Sequence, residues 1–78
     1  MKARVIVTLK NGVLDPQGNA IEGALDALAF QGVRSVRQGK VFDVELDTDN
    51  ADEARAELTA ICEKLLANTV IEDFEINL

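Results

Sequence analysis

The chain has 78 residues, of which 47% are hydrophobic, and its 14 acidic and 8 basic side chains give a net charge of −6. Residues 1–78 fit one small domain, and domains of this size usually need a disulfide, a metal or oligomerisation for stability. One cysteine and no histidine exclude an intrachain disulfide and leave a zinc site almost without ligands, so oligomerisation is expected.

The same inventory disfavours several classes of function. Without histidine, no Ser–His or Cys–His nucleophile pair can form, and no glycine run resembles a phosphate-binding loop. The negative charge opposes nucleic-acid binding, which depends on lysine and arginine. No signal-peptide pattern and no apolar stretch near 18 residues is present, so we expect a soluble cytoplasmic protein without membrane contact.

The first two predicted elements are a strand and a helix. Residues 3–10 alternate with Ala3, Val5, Val7 and Leu9 on one side, which predicts a strand with one buried face. Asp15-Pro16 then offers an N-cap and a proline suited to the first helical position. A capping box formed by Asn19 and Glu22 is an alternative helix start.

The apolar stripe of this first helix is formed by Ile21, Leu25 and Leu28. Gly32 fits a left-handed cap after its last turn. Two short strands are predicted next, within residues 33–48, around a turn at Gln38-Gly39. Val33 to Arg37 alternates poorly and fits an edge strand. The second strand alternates clearly, and its inward side chains are Phe42, Val44, Leu46 and Thr48.

A second helix over residues 51–67 and a final strand complete the chain. Asn50 can cap this helix while Glu53 reaches back. The apolar stripe of the helix consists of Ala54, Leu58, Ile61 and Leu65. In the last strand Phe74, Ile76 and Leu78 face inward.

The predicted order is therefore β-α-β-β-α-β. The natural arrangement is an α+β, ferredoxin-like two-layer sandwich, with two helices on one face of an antiparallel sheet. Its other face and its edges remain open, and self-association would cover them.

Two polar segments are candidate binding sites, and each has a purely structural alternative. The loop with Asp15, Pro16, Gln17 and Gly18 is either turn and capping chemistry or a docking loop. Arg34, Arg37 and Lys40 form a basic patch, which is either a solvated edge or a contact for an acidic partner. Spacing alone does not separate these interpretations.

Two other features are explained by structure rather than chemistry. Cys62 lies at the margin of the second helix's apolar stripe, with no basic neighbour or partner cysteine, and this favours a buried structural thiol. The acidic residues between Asp43 and Glu53 fit an exposed strand face and a helix cap, and no calcium-binding loop is present. No metal site is therefore predicted.

Three motifs of the chain closely resemble the PurS family, the small subunits of phosphoribosylformylglycinamidine synthase in purine biosynthesis. They are Gly12-Val-Leu-Asp-Pro-Gln-Gly18, Val36-Arg-Gln-Gly-Lys40 and Cys62-Glu-Lys-Leu-Leu-Ala-Asn-Thr-Val-Ile-Glu-Asp-Phe74. The likeness covers essentially the full length. It departs at Leu28-Ala29-Phe30, where many relatives carry Leu-Gly-Phe, and an alanine there suits a helix end.

The resemblance implies an accessory role with no catalytic residue and no cofactor on this chain. Members of the family form homodimers, possibly dimers of dimers, and bridge a large synthetase subunit and a glutaminase subunit. The synthetase uses ATP and magnesium, the glutaminase releases ammonia, and the complex forms an amidine of the EC 6.3.5.3 type. The small subunit is thought to help ammonia reach the synthetase.

We expect the polar loop and the basic patch to contact these partners, because both are polar, lie outside the core stripes and fall within matched motifs. Charge reversal at Arg37 and Lys40 is then expected to weaken co-purification with the large subunit. The alternative function is a small-ligand regulatory domain of the ACT type, which shares the topology and binds amino acids at a glycine-bearing loop after the first strand. Gly12 is a weak match to that loop.

Overall fold

The computed structural model describes residues 1–78 and contains one antiparallel sheet in the order β2-β1-β3. The elements are β1 (Lys2–Leu9), α1 (Pro16–Ala27), β2 (Gly39–Glu45), α2 (Ala51–Ile61), a π-helical turn (Cys62–Leu66) that continues α2, and β3 (Glu72–Asn77). The predicted α+β class and antiparallel sheet are confirmed. Neither helix is long and apolar enough to cross a lipid bilayer.

The core lies between β1 and α2. Val5 and Val7 of the central strand are fully buried, as are Leu58 and Cys62 on α2. The central strand pairs on both sides, and its inward side chains Val5 and Val7 pack in one cluster with Leu58 and Cys62. The half-buried side chains that surround this core include Phe42, Val44, Phe74 and Ile76, as the alternation predicts.

The start of α2 confirms the predicted cap. The Asn50 side chain accepts a hydrogen bond from the Glu53 amide at 3.0 Å. The Glu53 carboxylate in turn accepts from the Thr48 hydroxyl at 2.9 Å, so it reaches back to the residue before the cap region rather than to the Asn50 amide. The carboxylates of Asp52 and Glu53 also lie at the positive end of the helix dipole.

The end of α2 departs from the predicted stripe. Leu65 is 79% exposed, whereas Cys62 is fully buried. The Ala67 amide bonds to the Cys62 carbonyl, five residues back, at 2.9 Å, and this wider turn rotates the last residues relative to an α-helix. Cys62 is the buried structural thiol that the sequence predicts. Burial, and then the charge of Glu63, raise the pKa of its thiol.

Helix α1 does not pack on the sheet of its own chain. Gly18 is the one buried residue of this helix, while Ile21 and Leu28 are 39% and 67% exposed. The radius of gyration is 15.9 Å, against about 11.5 Å for a compact chain of this length. Within a single chain, α2 therefore covers the sheet alone, while α1 projects away from it.

The predicted edge strand from Val33 to Arg37 is also absent, and Gly39 belongs to β2 rather than to a turn. Backbone amides that would donate to a neighbouring strand donate to side chains instead. The Val36 amide donates to Glu22 Oε1 at 2.6 Å, and the Gln38 amide donates to Asp15 Oδ2 at 2.7 Å. We call residues 16–37 the arm, because they project from the sheet and return to it at residue 38.

The arm's helix begins where Asp15-Pro16 predicts and ends before Gly32. The Phe30 amide bonds to the Leu25 carbonyl at 2.9 Å and the Ala29 amide to the Asp26 carbonyl at 3.0 Å, which is the Schellman pattern. The left-handed residue of this motif is Ala29, with φ at 68°, so the cap predicted at Gly32 is wrong. Alanine is strained in this conformation, and glycine is not.

Leu58→Ala tests the core. Leu58 is fully buried against β1, so removal of its side chain leaves a cavity and is expected to lower the free energy of unfolding by about 2–5 kcal/mol. Urea unfolding followed by circular dichroism measures the change. Leu65→Ala, at an exposed position, is the control and is expected to change this free energy by less than about 0.5 kcal/mol. Equal effects of the two substitutions would contradict the described core.

Ala29→Gly tests the strained cap. It relieves a left-handed alanine, which costs about 1–2 kcal/mol, while the added flexibility of the unfolded chain offsets about 0.4–1 kcal/mol. A net rise in unfolding free energy of about 0.5–1 kcal/mol is expected. Ala27→Gly, two residues earlier and still helical, is expected to destabilise by about 0.5–1 kcal/mol. Thermal unfolding distinguishes them, and a destabilised Ala29→Gly variant would refute the strain.

Candidate protein-interaction site

Asp15 lies at the base of the arm and is 5% exposed. Its Oδ1 accepts the Gly18 amide at 2.9 Å and its Oδ2 accepts the Gln38 amide at 2.7 Å. The amides of Gln38 and Gly18, with a smaller contribution from the charge of Arg37, hold the pKa of this carboxyl below its usual range. Asp15 therefore ties the start of α1 to the segment that enters β2.

Arg37 is turned toward its own chain. Its guanidinium donates to the backbone carbonyls of Val13, Lys10 and Leu9, at 3.1, 3.2 and 3.4 Å. The planar guanidinium, with its donors in a fixed fork, satisfies several acceptors of one loop at once. Arg37 thus fixes the loop that leads into the arm.

At Gly18 the outgoing and returning segments of the arm approach each other closely. A Cβ atom added to it would lie 2.3 Å from the Val36 carbonyl oxygen and 2.8 Å from Asp15 Oδ2. Any side chain would push these two segments apart. The glycine is required by this backbone approach, not by an unusual φ.

Lys40 points toward β3 and pairs with Glu72, with its Nζ 3.3 Å from Oε2. The Glu72 side chain is 11% exposed, and its Oε1 accepts the Asn68 amide at 2.8 Å. The Asn68 amide, and then Lys40, hold the pKa of Glu72 below its usual range. The pair joins both edge strands of the sheet across the end of β1.

Five of the predicted contact residues are exposed: Pro16, Gln17, Arg34, Arg37 and Lys40. The Gln17 side chain accepts a hydrogen bond from that of Gln38, and Arg34 makes no ion pair or hydrogen bond. A cleft of about 540 Å³ opens between the arm and the sheet. The residues that line it include Val7, Leu9, Pro16, Gln17, Lys40 and Glu72.

The structure therefore brings Lys40 and the predicted loop to one cleft, while Arg37 binds the backbone just before that loop and Arg34 makes no such contact. Three contributing residues, Glu22, Gln38 and Glu72, were not predicted. Each contacts a residue distant in sequence, so no local pattern indicates its role; Glu22 fitted a capping box instead. No three His, Cys, Asp or Glu side chains cluster as metal ligands would. What the site offers is an exposed polar surface on a rigid internal frame.

Comparison with known proteins identifies relatives along the whole chain. The family model described as PurS, phosphoribosylformylglycinamidine (FGAM) synthase, matches residues 2–78. The PurS subunit of this synthase from Mycobacterium leprae is 53% identical over 75 residues, which cover 96% of this chain and 91% of the relative. The subunit from Methanocaldococcus jannaschii is 44% identical over 75 residues, with 96% and 90% covered.

Solved structures agree in fold. The crystal structure of Methanocaldococcus jannaschii PurS superposes with a TM-score of 0.88 at 43% identity and covers 97% of this chain and 92% of that one. A chain of the PurLQS structure from Thermotoga maritima gives 0.88 at 32% identity, with 97% and 93% covered. These similarities confirm the ferredoxin-like α+β architecture predicted from the element order.

Because Asp15 and Glu72 are hydrogen-bonded as carboxylates, we expect the free energy of unfolding to fall in acid. Because the pKa values of Asp15 and Glu72 are lower in the folded chain than their ordinary values of about 3.9 and about 4.3, the unfolded chain binds more protons. Their contribution is complete above these ordinary values and is lost as the pH falls through the folded pKa values. Urea midpoints measured from pH 6 to pH 3 are expected to decline most steeply below about pH 4.5.

Glu72→Gln isolates one of the two groups. It is expected to unfold more readily than the wild type at pH 6 and to lose less stability between pH 6 and pH 3. Glu57→Gln is the matched control, because Glu57 is exposed on α2 and makes no ion pair or side-chain hydrogen bond. If both variants have the same pH slope as the wild type, Glu72 does not contribute in this way.

Proposed function

The chain belongs to the PurS family and is a subunit of FGAM synthase, and on that premise we propose that it bridges a large synthetase subunit and a glutaminase subunit without catalysing a step itself. In this proposal the glutaminase releases ammonia and the synthetase uses ATP and magnesium to convert an amide to an amidine. The small subunit holds the two active sites in register, so that ammonia is not lost to bulk water. We propose that this assembly works in the cytoplasm.

The observation that carries this proposal is the arm. One helix of the chain lies away from its own core, and the chain buries 9 of its 78 residues. Four large apolar side chains of the arm are exposed, and exposed groups of apolar side chains on a small protein are typical of an interaction site. A chain with so much exposed apolar surface is suited to assembly with other subunits rather than to acting as an enzyme by itself.

The chemistry of the side chains agrees with a role without catalysis. Three of the four groups with shifted pKa values, Arg4, Asp15 and Glu72, are bonded to groups of their own chain. The fourth, Cys62, is sealed in the core. Shifted pKa values can mark an active site, but ion pairs and hydrogen bonds with a structural role also cause them. Here bonds within the chain and the burial of Cys62 account for each shift, which agrees with the proposal that the partner subunits supply the reactive groups.

We propose a second copy of this chain as the first partner. The apolar side chains of the arm, Ile21, Leu28, Phe30 and Val33, are 39%, 67%, 60% and 47% exposed. A homodimer covers them when each arm packs against the other copy, and this supplies the support that a domain without a disulfide or metal lacks. A dimer of dimers is a further step of the same kind. The Thermotoga maritima PurLQS structure supports assembly with the other subunits.

The surface proposed for the synthetase and glutaminase lies at the base of the arm. Pro16 and Gln17 are exposed there and Arg34 is exposed on the returning segment of the arm, whereas Asp15, Gly18 and Arg37 form the internal hydrogen bonds that hold this region. Lys40 is partly exposed beside the cleft. We therefore propose that some of the seven predicted contact residues touch the partners directly, and that the others hold these in position.

The ACT-type alternative is not supported. The relatives described above are PurS subunits over almost their full lengths, and they favour the accessory subunit. The loop that would hold an amino acid in an ACT domain contains Gly12, with φ at 85° and open space around its Cα. Its neighbouring carbonyls are already bonded to Arg37.

A pull-down from native cell extract tests the assembly, and Arg34→Glu tests the surface. The tagged wild-type chain is expected to recover a large ATP-dependent synthetase and a glutaminase. Arg34→Glu is expected to recover at least about tenfold less synthetase at an unchanged melting temperature, because an interface charge reversal places like charges together. Arg55→Glu, an exposed arginine on α2, is the matched control and is expected to behave as the wild type.

Recovery of neither subunit by the wild type would refute the bridging role, and full recovery by Arg34→Glu would remove Arg34 from the surface. Charge reversal at Arg37 or Lys40 is a poorer test than the sequence suggested. Reversal at Arg37 would break its bonds to the loop carbonyls, and reversal at Lys40 would place a carboxylate beside Glu72. Either would disturb the protein's own fold.

A further inference from the structure

The two ends of the arm meet at a single carboxylate. Asp15 directly precedes the arm and Gln38 directly follows it. One oxygen of Asp15 accepts the Gly18 amide and the other accepts the Gln38 amide, at 2.9 and 2.7 Å. A projection that could otherwise pivot on two loop segments is thus closed at its base.

Other contacts link the same two segments, and each is made by a side chain. Glu22 Oε1 accepts the Val36 amide at 2.6 Å, and Arg37 donates to the carbonyls of the loop before the arm. No backbone ladder joins the outgoing and returning segments. The direction of the arm relative to the sheet therefore depends on a few side chains rather than on strand pairing.

Asp15 has two separable tasks at this position. Oδ1 caps α1, a task that asparagine or serine performs equally well. Oδ2 closes the arm, and for this the second atom must also be an acceptor. The second atom of asparagine is an NH₂ donor, which would face the Gln38 N–H, and serine has no second atom. Aspartate alone among these caps performs both tasks.

We propose that Asp15 is a positioning residue for self-association: its carboxylate fixes the arm at the angle at which α1 meets a second copy of the chain. This rests on the homodimer proposed above. The near-complete burial of the carboxylate supports it, since hydrogen bonds to a charged acceptor that is shielded from water are strong and directional. Gly18 supports it too, because the two segments are in van der Waals contact there.

Asp15→Asn separates the two tasks, because it keeps the cap and removes the closure. Far-UV circular dichroism is expected to show unchanged helix content, while sedimentation equilibrium shows a dimer dissociation constant raised about tenfold or more, as for the loss of one charge-assisted hydrogen bond. Asp15→Ser is a second variant with the same logic. Asp26→Asn is the matched control: it makes the same change in charge on an exposed residue of the arm and is expected to leave the dissociation constant unchanged.

A further measurement distinguishes positioning from general stability. At a concentration at which all variants are monomers, Asp15→Asn and Asp26→Asn are both expected to be fully folded without urea, although Asp15→Asn unfolds at a lower urea midpoint because it loses the bonded carboxylate. Small-angle scattering of the monomers is expected to differ, because the arm is no longer held in one direction.

Three outcomes would overturn the proposal. A dimer of Asp15→Asn as tight as the wild type would show that closure by Oδ2 does not position the arm. Loss of helix content in both Asp15→Asn and Asp15→Ser would reduce Asp15 to a cap. A wild-type chain that sediments as a monomer at every concentration would refute the homodimer itself, and that result is distinct from the first two.

Discussion

The constraint on which the structure depends is that one helix has to cover a three-stranded sheet. Val5 and Val7 of the central strand are sealed by Leu58 and Cys62 of α2, and little else in the chain is fully buried. A core of this size is marginal for a chain of 78 residues. The other helix contributes its apolar side chains to no core of its own, so assembly with further subunits completes what folding of one chain leaves open.

The internal hydrogen bonds at the base of the arm hold the arm in one orientation relative to the sheet. Where strands would normally pair, Asp15, Glu22 and Arg37 bind backbone groups of distant residues. Such hydrogen bonds are directional and leave the apolar face of α1 exposed. If α1 packed onto the sheet, that face would be buried within the chain. The polar frame and the apolar surface therefore belong together, because one holds the other in position for a partner.

The sequence predicts the parts of the fold that repeat with a local period. The alternation in β1, β2 and β3, the Asn50 cap and the start of α1 at Pro16 are all found, because each depends on neighbours along the chain. The missing edge strand and the detached helix depend on contacts across many residues, which periodicity does not encode. The polar loop and the basic patch are both recognisable in the sequence as polar segments. The internal bonds of Asp15 and Arg37 are not predictable from it, because charged residues of these types usually lie on the surface.

The exposed apolar arm also has a consequence for the cell. A subunit whose stability includes its contacts with partners has a folded population that depends on how much partner is present. Chains made in excess keep Leu28, Phe30 and Val33 in water, where chaperones and proteases recognise such surfaces. We therefore expect orphan copies to be degraded faster than assembled copies, so that the exposed arm links the amount of this subunit to the amount of its partners.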